Sequence, residues 1–183
     1  MKILWIMASK KNHGGNRVIY EYGNRLIGLG HDVTHVVPFE KFDYPYSWLK
    51  KVELFLREKF YYRAKFGLLQ SRGSKPDWFP LRAKQIEVPD LSEKYLPDAD
   101  AVIATAWDTA DWVNSYSTQK GTKFYFVQHH ELWGGPAERV NNTWKLPLKK
   151  ITIASWLKQK IESEFKQKVY GVIINGVNFD QFY

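Results

Sequence analysis

The stretch KILWIMASKKNHGGNR, residues 2–17, decides how the rest of the chain is read. Its apolar run Ile3-Leu4-Trp5-Ile6-Met7-Ala8 shows no alternation, which fits a strand buried on both faces. A polar loop holding Gly14-Gly15 comes next, and a helix is expected directly after it. Adjacent glycines at the carboxyl end of a first parallel strand let backbone come close to a ligand. The helix N-terminus beyond them presents free N–H groups, which favour a phosphate or another anion. An ordinary strand–helix turn would carry the same pair, so Gly14-Gly15 marks a place and not yet an activity.

Outward from there, Val18, Ile19, Tyr22, Leu26 and Leu29 recur at three- and four-residue spacing, as in a helix with one buried face over residues 16–29. Gly30 suits its C-terminal cap, and residues 33–37 read as a second buried strand stopped by Pro38. Strand, glycine loop, helix, glycine, strand is a βαβ unit, whose crossover is right-handed and whose strands are parallel. The alternation returns later with strands expected at 85–88, 101–105, 124–128, 151–153 and 169–174. Between the last two, Ser155 is expected to cap a helix carrying Leu157, Ile161 and Phe165. The sum is a doubly wound α/β domain: a mostly parallel, Rossmann-like sheet of about seven strands, with helices on both faces.

Residues 39–84 break this pattern. They are aromatic and basic, with Lys50, Lys51, Arg57 and Lys59 interleaved among Trp48, Val52, Phe55, Leu56 and Phe60. Such an amphipathic segment can lie against an anionic membrane or hold an anionic acceptor. A helix packed on its own domain with a solvated lysine face would look similar. The net charge of +8 also argues for an anionic partner. There are no cysteines, so disulfides and thiolate metal sites are excluded. No apolar run reaches the roughly 20 residues of a membrane-spanning helix, and the chain opens on a strand, where a signal peptide is not expected.

Three loops at strand carboxyl ends hold chemically capable residues: Gly14-Gly15, Trp107-Asp108 and His129-His130-Glu131. A doubly wound sheet brings such loops to one edge, where they can line a common cleft. A histidine beside a carboxylate there can act as a base. Hydrogen-bonded scaffold is the plainer role, and two adjacent histidines cannot both face one ligand. Glu131 fits an orienting carboxylate or a surface charge. No spaced third ligand accompanies this His/Glu pair, so no metal site is expected.

The order of these segments resembles the N-terminal domain of family 4 (group 1) glycosyltransferases, retaining enzymes of the GT-B fold. The likeness is carried by KILWIMASKKNHGGNRVIYEYGNRLIGLGHDVTHVVP, DADAVIATAWDTADWV, KFYFVQHHE, KITIASWLKQKI and VIINGVNFDQFY, in that order. It implies that residues 1–183 form a single acceptor-side domain with an insertion at about 39–84. The donor-binding C-terminal domain would then lie outside the chain, which would be inactive alone. It implies a nucleotide-sugar co-substrate and no metal or other cofactor. Gly14, Gly15 and Arg17 would approach the donor phosphates, and His129 or His130 would sit near the reacting sugar. Trp107, Asp108 and Glu131 would flank the acceptor, with Lys50, Lys51, Arg57 and Lys59 helping to hold it. The acceptor would be a glycan or a lipid-linked sugar of the cell envelope. Nucleic acid is not expected, and the setting would be cytoplasmic, with possible peripheral contact at an anionic membrane. Two alternatives stay open: a nucleotide-sugar epimerase half of the same fold, or a non-catalytic anion-binding module.

Overall fold

The computed structural model of the protein describes residues 1–39, 75–177 and 179. Strand β1 (Lys2–Ile6) runs through a loop into helix α1 (Gly14–Gly28), which returns to β2 (Asp32–Pro38). Next in the described chain come β3 (Lys84–Val88), β4 (Ala101–Ala104) and helix α2 (Trp107–Ser115). Strand β5 (Thr122–Val127), helix α3 (Ala137–Lys145), β6 (Lys149–Thr152), helix α4 (Ser155–Glu164) and β7 (Val169–Val172) complete it. The seven strands form one sheet in the order β3-β2-β1-β4-β5-β6-β7. Every pair is parallel, as the βαβ pattern requires.

The two faces of β1 explain why its sequence does not alternate. Leu4 and Ile6 pack on one face of the sheet with residues of α2, α3 and α4, including Ala110, Val113, Trp144, Leu157 and Ile161. Ile3, Trp5 and Met7 pack on the other with Ile19 and Tyr20 of α1 and with Phe79, Leu81 and Ala83. A strand covered on both faces is apolar at every position. Residues 75–84, the described C-terminal end of the basic segment, pack on this second face. Trp78 and Phe79 lie against Tyr20 with ring centroids 5.5 Å away in each case, and the Trp78 indole N–H donates to the Lys10 carbonyl at 3.2 Å. The basic positions Lys50, Lys51, Arg57 and Lys59 lie outside the described residues.

Three local expectations change in detail. The glycines are not loop residues before a helix: Gly14 and Gly15 are its first two positions, because the preceding His13 caps it. Gly30 stands one residue past the cap Leu29, at φ +85°, where an L side chain would be strained. Its N–H donates to Ile27 at 2.9 Å and that of His31 to Leu26 at 3.1 Å, the paired closure of a Schellman motif. Ser155 does not cap α4. Extended Ala154 holds that position, with no side-chain bond, and Ser155 is the first helical residue. Among the described residues, no helix is long and apolar enough to cross a membrane.

Candidate functional site

In a parallel sheet, a crevice opens where consecutive connections leave a strand in opposite directions. Here that place lies beside β1, which has β2 on one side and β4 on the other. Its carboxyl edge is drawn together by side-chain bonds. The Thr105 hydroxyl donates to the Ile6 carbonyl at 2.8 Å, joining the ends of β4 and β1. The loop after β1 is shaped from within by Asn16, almost fully buried, whose amide donates to the carbonyls of Ser9 and Lys11 at 2.9 Å each. The same residue's backbone N–H donates to His13 Nδ1 at 3.3 Å. That bond requires a neutral imidazole, and partial burial together with nearby Lys11 lowers the His13 pKa in that direction. Neither His13 nor Asn16 stood out in the sequence, because histidine is not among the usual capping residues.

A cleft of about 820 Å³ opens over this edge. It brings the three predicted loops together: Gly14 and Gly15 from α1, Trp107 and Asp108 from α2, and His129 and Glu131 from the segment after β5. As the first positions of α1, Gly14 and Gly15 have N–H groups with no acceptor inside the helix. A Cβ on Gly14 would meet nothing within 4 Å, and one on Gly15 would meet only ordinary contacts at 3.5 Å to Gln128 and His13. Neither residue has a positive φ. The protein's own packing thus leaves the space beside both glycines to whatever occupies the cleft.

The two histidines part company. His129 is on the cleft wall, its ring 4.5 Å from that of Trp133 and 5.6 Å from that of Trp156. His130 turns away from the cleft toward α3: its ring lies 4.3 Å from that of Trp144, and its Nε2 is 2.7 Å from Asn141 Oδ1. Adjacent residues leaving a strand face opposite ways, which is why one meets the cleft and the other the core.

Glu131 has a defined partner. Its carboxylate accepts the Trp107 backbone N–H at 2.9 Å, placing a negative charge at the N-terminus of α2. The first turn of α1, at the same edge, has no acidic residue in it. Trp107 lines the cleft from a buried position. A Cβ on Gly134 or Gly135 would come within 2.6 Å of its indole, and the Arg139 guanidinium sits 5.1 Å above the ring. Arg17 lies outside this cleft. It lines an adjoining groove, also about 820 Å³, between α1 and residues 173–177. Among the described residues no group of three or more His, Cys, Asp or Glu side chains could hold a metal ion.

No family model matches the chain, and no curated protein matches it. A solved structure does: an "alpha-glucosyltransferase in complex with UDP-glucose and DNA containing an abasic site". The TM-score is 0.52 at 12% identity, and the match covers 93% of this chain but 41% of that one. The likeness is one of fold. The seven-stranded parallel sheet is a Rossmann-like unit that matches one half of a GT-B glycosyltransferase.

Proposed function

We propose that the chain is the N-terminal, acceptor-side half of a glycosyltransferase that moves a sugar from a nucleotide-sugar donor to a glycan or lipid-linked acceptor. The observation that carries this reading is the convergence of Gly14-Gly15, Trp107-Asp108 and His129 on one cleft at the switch point. The fold match to an α-glucosyltransferase adds weight, and its coverage fits one half of a two-domain enzyme. The donor site would then be completed by a second Rossmann-like domain.

In this reading the acceptor hydroxyl oxygen forms the new bond to the sugar's anomeric carbon. The bond from that carbon to the diphosphate breaks, and the diphosphate leaves with the electron pair. The N–H groups of Gly14 and Gly15, backed by the α1 dipole, stabilise charge building up on the diphosphate. His129 lies beside the reacting sugar, while His130 braces the segment behind it. Transfer with retention places acceptor and leaving group on the same face of the sugar, so the departing diphosphate can accept the acceptor's proton. The basic insertion, with Lys50, Lys51, Arg57 and Lys59, would hold the acceptor at an anionic cytoplasmic membrane face.

Calorimetric titration with UDP, GDP and their sugar conjugates tests this. Millimolar binding is expected for half a donor site. Micromolar binding would mean a complete nucleotide site within these 183 residues and would contradict the half-site reading. The competing reading is a nucleic-acid acceptor, favoured by the net charge of +8. It predicts DNA affinity that falls steeply with added salt.

A further inference from the structure

Two tryptophans stand unusually open at the rim of the cleft. Trp133, in the loop after β5, is 71% exposed, and Trp156, in the first turn of α4, is 49% exposed. Both rings lean on the same imidazole, that of His129, tilted in one case and edge-on in the other. Large exposed indoles lose the benefit of burial, and a solvent-facing pair aimed at one site marks a surface that something covers. The polar residues Ser155, Lys158 and Gln159 are exposed around Trp156 on α4. Around Trp156 the ring is therefore framed by hydrogen-bonding groups, while Trp133 stands beside exposed Leu132.

We propose that Trp133 and Trp156 form a saccharide platform that grips a pyranose ring of the acceptor next to His129. A pyranose is apolar across its C–H faces and hydroxylated around its edge. It can lie flat on an indole while its hydroxyls stay wet or bond to neighbouring polar side chains. The cleft is lined both by groups suited to an anion, Lys11 and the α1 N-terminus, and by Trp133, suited to a neutral ring. An acceptor sugar held on the tryptophans would reach His129 from the rim. The assignment rests on the glycosyltransferase reading and narrows the acceptor to a sugar.

The test uses saturation-transfer NMR on the 183-residue chain, with methyl α-glucopyranoside and maltotriose as saccharide probes and UDP as a separate probe. Saturable saccharide signals are expected from the native chain. They should weaken roughly five- to tenfold in Trp133→Ala and in Trp156→Ala, and survive in Trp156→Phe, since one aromatic contact is worth about 1 kcal/mol. The UDP signal should be unchanged in all three variants. Equal saccharide binding by native and alanine variants would overturn the platform, as would no saccharide binding by the native chain. So would tryptophan-dependent binding to phosphatidylglycerol vesicles or oligothymidylate in place of saccharide. A retained UDP signal in those cases leaves the transferase reading standing, whereas loss of both signals from the native chain removes both.

Discussion

Glycine is a poor helix former, yet α1 begins with two of them, and the structure supplies no internal reason for either. The double substitution Gly14→Ala/Gly15→Ala therefore separates what the fold needs from what the cleft needs. Gly14 has open space where a Cβ would go, and Gly15 has only 3.5 Å contacts. Both have ordinary backbone angles. Alanine lowers the entropy of the unfolded chain and has the better helix propensity, by up to about 1 kcal/mol per residue in a helix interior and less in a first turn. The pair should stabilise the protein by about 1 kcal/mol, a rise in Tm of roughly 2–4 °C for a chain of this size. The two methyl groups would meanwhile project beside the N–H groups that a phosphate oxygen must approach to about 2.9 Å. Affinity for UDP-sugars should fall at least about tenfold, roughly 1.4 kcal/mol. Thermal denaturation and titration on the same variant read the two effects in opposite directions. A lower Tm would mean that the fold itself requires the glycines. Unchanged ligand affinity would mean that no ligand comes close to them.

Other consequences concern the scaffold behind the cleft. His35, on β2, is fully buried against α1, its Nε2 3.4 Å from the Ile19 carbonyl and its ring edge-on to Tyr20. Burial pushes its pKa down to about 4, against a smaller opposing pull from the Ile19 and Lys84 carbonyls. Between that value and the ordinary 6.5 the unfolded chain takes up the proton and the folded one does not, so stability falls as pH falls. Its share should be about 2 kcal/mol lost between pH 7.5 and 5. Urea unfolding of native protein and His35→Gln at both pH values should show a weaker pH dependence in the variant, and equal dependence would sink the assignment. Gly135→Ala should cost about 1–3 kcal/mol in urea melts, because the new Cβ would overlap the Trp107 indole; an unaltered midpoint would show that the loop yields freely. Glu131→Gln should lower the Tm by a few degrees, through loss of charge at the α2 N-terminus. That loss should shrink in high salt, and a salt-independent loss would point to packing instead.

The parts of this molecule legible in the sequence are those whose signal is local. The unbroken apolar run from Ile3 to Met7, the α1 periodicity and the glycine at position 30 specify the βαβ unit by themselves. The carboxyl-edge loops then follow from topology alone. What the sequence withheld depends on partners far along the chain. Nothing in HGGN shows that His13 is a cap, since that depends on the Nδ1 bond to Asn16 and on a neutral ring. The roles of His129 and His130 separate only when Trp144 and Asn141 of α3 draw one of them inward. Glu131 and Trp107 meet across 24 residues, and Gly134-Gly135 reads as a plain turn until Trp107 is found beneath it. Arg17 follows Asn16 on α1 and lines the adjoining groove, a placement that depends on the helix phase and is not visible in the sequence.

On the proposed function, a nucleotide-sugar's phosphates would meet the first turn of α1 in the switch-point cleft. Amide-resolved NMR titration of the 183-residue chain with UDP-glucose tests it most directly, because it reports on the N–H groups themselves even when binding is weak. Fast-exchange shifts are expected to be largest at Gly14 and Gly15, with smaller ones at His13 and His129. Shifts centred elsewhere on the molecule, or none as UDP-glucose reaches tens of millimolar, would contradict it.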